Sequence, residues 1–296
     1  MGNSKNNKET VTVFDNIDPA VMKKVQSLRL IDDELMTVVF SGDKEATEFL
    51  LKILLNRDDL RVKKSMTQLQ KQNLFGKSVK LDIVAEDIYK QEYNIEIQRV
   101  KSGAGARRAR YHQAMMDSHT LKKSELTDSL PNLYIIFILE HDIFDLGEAI
   151  YRVEKHIDVK DTDGNYLKFD DGCNIMYVNG DYRGDNPLGK LMHDFSTPNA
   201  DEMYYDELAE RVRYHKQDSQ GVKMASQIVE EYGDERAAEA LKIGIQQGIE
   251  QGEQQKAIET AKKMLFKKYT INDISEITGL SIAKVLELQE SITVNA

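Results

Sequence analysis

The sequence predicts a mixed α/β fold from three of its stretches. Residues 80–100 hold two short runs of alternating apolar and polar side chains joined by a polar turn, and a period of two indicates paired strands. Residues 133–139, LYIIFIL, form a continuous apolar run that is typical of a central strand covered on both faces. Residues 21–30 show helical spacing. We therefore expect a sheet flanked by helices.

Before the strand pair, the chain is predicted to be mainly helical. Residues 1–20 are polar, have little to bury and are expected to form a flexible lead. A helix over 21–30 is followed by a second helix, which begins at Asp32 or Asp33 and continues through Asn56. Aspartate near a helix start is a capping signal. Residues 60–72 are expected to form the first strand and its connection.

Beyond the strand pair, the pattern predicts further helices and strands. They are, in order, a mobile loop over 101–106 (KSGAGA), a helix over 106–121, the central strand over 133–139, a short helix over 142–154, a hairpin turning at 161–164, a strand over 174–178, and helices over 190–195 and 204–213. The last two helices are expected to close the α/β domain near residue 215.

The domain organisation is predicted from these shifts in pattern. The parts are the flexible lead (1–20), the α/β domain (21–215), a helical linker (216–265) and a small helix-turn-helix-like tail (266–296). In the linker, Gly244, Gly248 and Gly252 share one helix face. Each glycine costs about 1 kcal/mol relative to alanine in a helix interior. Two explanations stay open. The one we favour is close approach of helices in self-association, and the other is a poorly ordered linker.

The tail has the spacing of a helix-turn-helix, with a turn at 278–280 and Ser281 as the N-cap of its second helix. A DNA-reading helix needs basic or amide side chains. Lys284 is the only basic residue of that helix, which also carries the acidic residues Glu287 and Glu290. A packing or docking module is therefore favoured over a DNA reader.

Composition excludes several classes of protein. Cys173 is the only cysteine, so neither a disulfide framework within the chain nor a thiolate zinc cluster is expected. This fits a reducing cytoplasm. No run of about 18 apolar residues occurs, and the first residues lack an apolar signal segment, so we expect a cytoplasmic protein with no membrane partner.

Charge is distributed unevenly along the chain. The net charge of −10 argues against a generic nucleic-acid binder, which is usually basic. Residues 55–125, however, hold 15 Lys and Arg against 9 Asp and Glu, a net charge of +6. Residues 201–296 hold 12 against 18, a net charge of −6. The positive excess surrounds the strand pair, where a phosphate backbone would have to approach.

The strand pair also brings two carboxylates together. If the hairpin is symmetric about Tyr89, Asp82 lies opposite Glu96. Directly opposed side chains have Cβ atoms about 5 Å apart, and carboxylates that close repel unless a cation or a proton lies between them. The stretch is therefore a candidate site for a hard metal ion. The alternative is a charged hairpin face exposed to water.

Six segments in order resemble the PD-(D/E)XK nucleases, and specifically the recombination-promoting nuclease (Rpn) or transposase family. They are IDDELMTVVF (31–40), KLDIVAED (80–87), YNIEIQ (93–98), RRARYHQAMM (107–116), LYIIFILEHDIF (133–144) and GKLMHDF (189–195). The likeness extends over residues 28–288. It implies an α/β fold with an α-β-β-β-α-β restriction-endonuclease-like core, a mixed sheet flanked by helices, and a C-terminal helical extension.

The resemblance also implies a metal site. Mg²⁺, with Mn²⁺ as an alternative, would be held by Asp82 and Glu96, with the Ile97 backbone carbonyl as a third ligand. Asp33 matches an acidic position next to the family's site, and helix capping is the competing account of that residue.

Gln98 stands where the wider superfamily has a catalytic lysine. Glutamine is uncharged, so it can orient a water molecule but cannot stabilise developing negative charge as an ammonium does. In the symmetric register, Lys80 lies opposite Gln98 and on the same face. We therefore expect Lys80 to supply the missing charge.

The helix predicted after the strand pair begins with a cluster of basic and polar residues. These are Arg107, Arg108, Arg110, Tyr111 and His112. Cations at a helix N-terminus oppose the macrodipole unless something anionic compensates. DNA phosphate would compensate, and arginine is suited to it. A solvated polar face is the alternative.

The predicted function is that of a Mg²⁺-dependent DNA endonuclease linked to recombination or mobile-element activity. The alternative is a catalytically degenerate nuclease fold that binds DNA or its own copies. A transposase that joins strands is a third possibility, for which no separate joining machinery is visible in the sequence. The expected partners are DNA and further copies of the chain, bound through the C-terminal helices.

Overall fold

The computed structural model describes residues 17–294, except for the side chains of residues 101, 102 and 292–294. Residues 1–16, most of the predicted flexible lead, lie outside the described residues. The chain divides into two compact units, Met1–Glu231 and Tyr232–Ala296. Across residues 17–294, no helix is both long enough and apolar enough to pass through a bilayer.

The secondary structure alternates between helices and strands up to residue 217 and is helical beyond it. The helices are α1 (Pro19–Ser27), α2 (Asp33–Phe40), α3 (Lys44–Leu55), α4 (Ala106–Thr120), α5 (Pro187–Ser196), α6 (Asp206–Gln217), α7 (Ser219–Phe266), α8 (Ile271–Thr278) and α9 (Ile282–Val294). The strands are β1 (Val62–Lys71), β2 (Val79–Asp87), β3 (Glu92–Gln98), β4 (Leu133–Leu139), β5 (Ile150–Arg152), β6 (His156–Lys160), β7 (Tyr166–Lys168) and β8 (Cys173–Asn179).

The first unit is built on a six-stranded mixed sheet in the order β1-β2-β3-β4-β8-β5. Strands β1, β2 and β3 are antiparallel neighbours, whereas β3, β4 and β8 run parallel to one another. Elements α3, β1, β2, β3, α4 and β4 follow one another along the chain. The expected α-β-β-β-α-β core is therefore confirmed. Strands β6 and β7 form a separate hairpin.

Helices cover both faces of this sheet. On one face, Ile83 and Ile95 belong to a buried cluster that includes residues of α1, α2, α3, α5 and α6. On the other face, Phe137 and Tyr177 belong to a second cluster with Met115 and other residues of α4. Strand β4 is buried except at Tyr134, because it lies in the middle of the sheet under both layers. The predicted central strand over 133–139 is confirmed.

The single helix predicted from Asp32 or Asp33 through Asn56 is wrong, because the chain forms two helices there. Gly42, with a φ of +67°, breaks the pattern between α2 and α3. The side chain of Asp43 then accepts a hydrogen bond from the Ala46 backbone N–H at 2.9 Å and begins α3. The apolar periodicity continues through the break, so it gave no sign of it.

The short helix predicted over 142–154 is also wrong, because this segment contains a loop and strand β5. The Asp142 carboxylate accepts hydrogen bonds from the backbone N–H groups of Phe144 and Gly147, at 3.0 and 2.8 Å. Such bonds offer the backbone an alternative to a helix. The predicted hairpin turning at 161–164 is confirmed by the pairing of β6 with β7.

Helix α7 passes through Gly244, Gly248 and Gly252 without interruption. A Cβ atom at any of these glycines would meet no atom of the described chain within 4 Å. After α7, Gly279 ends α8 with a φ of +71°, and Ser281 accepts the backbone N–H of Lys284 at 3.3 Å. Ala261, Ile274, Val285 and Leu288 form the small core of the second unit.

Candidate active site

The two candidate metal ligands lie where β2 and β3 stop pairing. Backbone pairs run from Ile83 with Ile95 to Glu86 with Glu92. Their register is the one expected for a hairpin symmetric about Tyr89. Asp82 and Glu96 follow as the next step beyond the last of these pairs.

The carboxylate of Asp82 takes part in ending this ladder. Its Oδ2 atom accepts a hydrogen bond from the Ile97 backbone N–H at 2.8 Å. The Ile97 amide therefore serves the carboxylate and not the backbone of β2. This bond fixes the Asp82 side chain at the end of β3, beside the position of Glu96.

Gln68 of β1 approaches Asp82 from the other side. Its Nε2 atom lies 3.5 Å from Asp82 Oδ1. Gln68 has a φ of +53°, an uncommon conformation for a residue that is not glycine. Strain of this kind often marks functional sites. Sequence reasoning missed Gln68, since its place in a polar stretch of β1 carries no distinguishing signal.

Electrostatics disfavour the charged form of Asp82. Burial raises the pKa of its carboxyl well above the usual range, and the negative charges of Glu96 and Asp33 raise it further. The Ile97 N–H and the Arg108 guanidinium act in the opposite direction but do not prevail. A cation at this place would remove the repulsion.

Glu96 is 1% exposed, and its two carboxylate oxygens differ. Oε2 accepts a hydrogen bond from Arg108 Nη2 at 3.0 Å. Oε1 has no hydrogen-bond partner among the described residues, although His112 Nδ1 lies 3.4 Å away. A buried carboxylate oxygen without a donor is rare and calls for a ligand or a proton.

His112 is 4% exposed and lies beneath the sheet beside Asn94 and Phe137. The ring is therefore shielded from solvent, and the predicted contact of His112 with DNA stays a prediction. Tyr111 is partly buried, and its hydroxyl donates to the Lys77 carbonyl. The hydroxyl is thereby held against the loop between β1 and β2.

The three arginines at the start of α4 are exposed. Arg108 turns toward the carboxylates, and its Nη1 atom also donates to Gln98 Oε1 at 3.3 Å and to the Gly103 carbonyl at 3.4 Å. One of the three cations at the N-terminus of α4 is therefore compensated by Glu96 of the same chain. Arg107 and Arg110 stay available to solvent.

Gln98 packs against Gly103 in the connection between β3 and α4. A Cβ atom at Gly103 would lie 2.0–2.2 Å from the carboxamide atoms of Gln98, so a larger residue there would push this carboxamide aside. The loop over 101–106, predicted to be mobile, contains a 3-10 turn at Lys101–Ala104. This turn brings Gly103 against the end of β3.

Asp33 and Lys80 occupy different positions relative to the site. Asp33 is the first residue of α2, and Asp32 stands at the N-cap position. The charge of Asp33 acts on Asp82, as described above. Lys80 is exposed and pairs with Gln70 of β1, three residues beyond the end of the pairing between β2 and β3. That pairing therefore does not extend to Lys80 and Gln98.

Four charged side chains tie the start of α2 to the ends of β3 and β4. Arg29 contacts Asp32 at 3.1 Å and Glu140 at 2.8 Å, and Arg99 contacts the same two carboxylates at 3.0 and 2.9 Å. Burial alone would raise the pKa of Asp32, but hydrogen bonds from Arg29 and the charge of Arg99 lower it. The network holds the neighbouring Asp33 near the carboxylate pair. Arg29 and Asp32 are far in sequence from Arg99 and Glu140, so no local pattern reveals the network.

The carboxylates fit a magnesium ion. Among residues 17–294, no group of three or more His, Cys, Asp or Glu side chains forms a ready-made metal cage. Mg²⁺, however, usually keeps several water molecules and is bound through one or two carboxylates plus substrate phosphates. The unpartnered Oε1 of Glu96 and the raised pKa of Asp82 indicate a place for a cation.

Comparison with known proteins agrees with this geometry. Residues 40–180 match the model of a family described as PD-(D/E)XK nuclease family transposase. These residues, a little under half of the chain, are similar to the PD-(D/E)XK nuclease family. The matched region contains β1 to β4, α4 and the carboxylate pair, so the predicted resemblance and the fold class are confirmed. No curated protein and no solved structure matches the chain.

A cavity of the first unit lies away from these carboxylates. It measures about 620 Å³ and is lined by residues around β5, β8 and the β6–β7 hairpin, among them Lys155, Tyr166 and Cys173. Burial raises the pKa of the Cys173 thiol to about 11. Asp82 and Glu96 are not among the residues that line this cavity.

Proposed function

We propose that this protein is a metal-dependent DNA endonuclease that hydrolyses phosphodiester bonds in recombination or mobile-element activity. The observation that carries the proposal is the meeting of Asp82 and Glu96 at the end of the β2–β3 ladder. There the pKa of one carboxyl is raised and one oxygen of the other lacks a donor. The family description supports a nuclease connected with transposition.

Mg²⁺ or Mn²⁺ would be held by Asp82 and Glu96, with the Ile97 carbonyl and Asp33 as further ligands. When bound, such an ion activates water and stabilises charge on the attacked phosphate. The Ile97 N–H keeps the Asp82 carboxylate in place. The Gln98 carboxamide orients the attacking water.

DNA would approach across the start of α4. Arg107 and Arg110 are exposed there, and arginine side chains contact phosphates without reading sequence. The local excess of positive charge between residues 55 and 125 supports this approach. Cys173, as the only cysteine, supports the expected cytoplasmic location.

A degenerate nuclease fold that binds DNA without cutting is the second candidate. Two observations favour it, the uncharged Gln98 in place of a lysine and the occupation of Glu96 Oε2 by Arg108. Self-association through the C-terminal helices is compatible with both candidates, because the glycine face of α7 is open within the described chain.

Nicking of supercoiled plasmid by the purified chain distinguishes these functions. Reactions would contain Mg²⁺, Mn²⁺ or EDTA, and would compare wild type with Asp82→Ala, Glu96→Ala and the control Asp158→Ala, an exposed residue of β6. We expect metal-dependent nicking that both site variants lose and the control keeps.

Other outcomes assign other functions. An inactive wild type that still retards DNA in a gel would favour the degenerate binder. Strand joining in addition to cleavage would favour a transposase. Nicking that survives in both site variants would rule out Asp82 and Glu96 as the metal ligands.

A further inference from the structure

One side chain of α4 contacts two residues of the proposed site. Arg108 donates from Nη2 to Glu96 Oε2 at 3.0 Å and from Nη1 to Gln98 Oε1 at 3.3 Å. The guanidinium therefore lies between a proposed metal ligand and the residue that replaces the superfamily lysine. Its side chain is 41% exposed, so it is also open to a substrate.

The position of Arg108 on α4 explains this reach. Residues 108 and 112 are one helical turn apart and share a face, and both contact Glu96. Arg107 and Arg110 lie on other faces of the helix. Cations at this helix start are thus divided between one that points into the site and two that point to solvent.

Phosphodiester hydrolysis at this site needs a cation that stabilises the developing negative charge. Gln98 can accept and donate hydrogen bonds but adds no charge. A guanidinium is permanently charged, and its planar fork can bind carboxylate or phosphate oxygens. Arg108 of α4 therefore supplies the positive charge that Gln98 of β3 cannot.

We propose that Arg108 is the catalytic cation of this nuclease, held on Glu96 until metal and DNA bind. This inference rests on the proposed function. Released from the guanidinium, Glu96 would be free to hold the metal, and Arg108 would be free to donate to an oxygen of the scissile phosphate. Its charge stabilises the added negative charge as a water oxygen bonds to phosphorus and the bond to the leaving sugar oxygen breaks. Solvent takes the proton of the water and protonates the leaving oxygen.

The resting contact is tested with Mn²⁺ alone as the probe. Isothermal titration of the full chain would compare wild type, Arg108→Ala and Arg110→Ala. Since Arg108 competes with metal for Glu96, we expect Mn²⁺ to bind Arg108→Ala about fivefold more tightly, the equivalent of one exposed ion pair removed. Arg110→Ala should bind Mn²⁺ as wild type does. Equal or weaker binding by Arg108→Ala would overturn the proposed competition.

The catalytic role is tested by plasmid nicking at saturating Mn²⁺. We expect Arg108→Ala to lower kcat by about 10²-fold or more, as for loss of other charge-stabilising groups. Arg110→Ala should mainly raise KM. Adding Gln98→Lys to Arg108→Ala should recover part of kcat, because an ammonium then stands on β3.

The two experiments separate this inference from the proposed function. A wild-type kcat in Arg108→Ala, or a change in KM alone that Gln98→Lys does not reverse, would overturn the role of Arg108 while the nuclease stands. A wild type that cuts no DNA would remove the nuclease function. The Mn²⁺ titration alone would then decide whether Arg108 competes with the metal for Glu96.

Discussion

Among single residues, Asp82 weakens the fold that holds it. Its pKa is raised above the unfolded value, so folding favours the protonated carboxyl. The stability contributed by this group is complete at low pH and is lost as the pH rises through the folded pKa. Above the folded pKa and without metal, the ionised group opposes folding.

Replacing Asp82 with asparagine should therefore stabilise the metal-free protein. An amide keeps an acceptor for the Ile97 N–H and removes the charge. We expect Asp82→Asn to raise stability by about 1 kcal/mol at pH 7.5 in EDTA, which is the size of one pKa unit. Thermal unfolding from pH 5 to 8 should show a falling Tm for wild type and a flatter curve for the variant.

Repeating the thermal unfolding with Mg²⁺ tests whether the same carboxylate binds the ion. Mg²⁺ should raise the Tm of wild type, because an ion that binds only the folded state stabilises it. The Tm of Asp82→Asn should respond much less. A variant that is less stable than wild type in EDTA would contradict the electrostatic account.

Lys216 is a buried charge with a structural role. It is 6% exposed and donates to the carbonyls of Gln26, Leu28 and Pro198, at 3.0, 2.6 and 2.5 Å. Burial lowers its pKa to about 8. The side chain joins the end of α6 to the end of α1 and to the segment that follows α5. Without this side chain, three carbonyls would lose their donor.

Removing this ammonium should destabilise the first unit. We expect Lys216→Met to lower the free energy of unfolding by about 3 kcal/mol, since breaking a buried charged contact leaves polar groups unpaired. Urea denaturation followed by circular dichroism would measure it. Lys223→Met, at an exposed position of α7, should change stability by less than about 0.5 kcal/mol.

Among elements, the short connection between β3 and α4 positions the site. Gly103 leaves room for the Gln98 carboxamide, whereas the neighbouring Gly105 has open space around it. Gly103→Ala should displace Gln98 and lower the plasmid-nicking rate by about tenfold or more, because small misplacements slow reactions strongly. Gly105→Ala is the matched control and should keep the rate. Equal rates for both variants would show that Gln98 does not orient the water.

The elements that the sequence predicted well have strong local signals. Strands β2 and β3 follow from the period of two, and their register follows from the symmetric turn. Strand β4 follows from a continuous apolar run. Local backbone features interrupted the pattern elsewhere. Gly42 split a predicted helix, and Asp142 held a loop where a helix was expected.

The site was predictable only in part, for a physical reason. Asp82 and Glu96 are joined by strand pairing, which the sequence shows. Gln68 and Arg108 reach the site by side-chain contacts between separate elements, which leave no period or spacing. The burial of His112 likewise depends on how α4 packs on the sheet.

Over the whole molecule, the first unit has its own core and the second unit has a small separate one. The glycine face of α7 is where copies of the chain would pack if the protein self-associates. Gly248→Ala should raise helix stability by about 1 kcal/mol if that face stays exposed. If copies pack closely there, the substitution should instead weaken association. Light scattering at several concentrations, with thermal unfolding, would decide between these results.

The single cysteine of the chain has a practical consequence for labelling the protein. Because its pKa is about 11, Cys173 is almost entirely protonated at neutral pH and should react slowly with maleimide. A second cysteine introduced at an exposed position, such as Phe75→Cys at 99% exposure, would take a fluorophore selectively. Distance and anisotropy measurements on DNA binding are then open without first building a cysteine-free background.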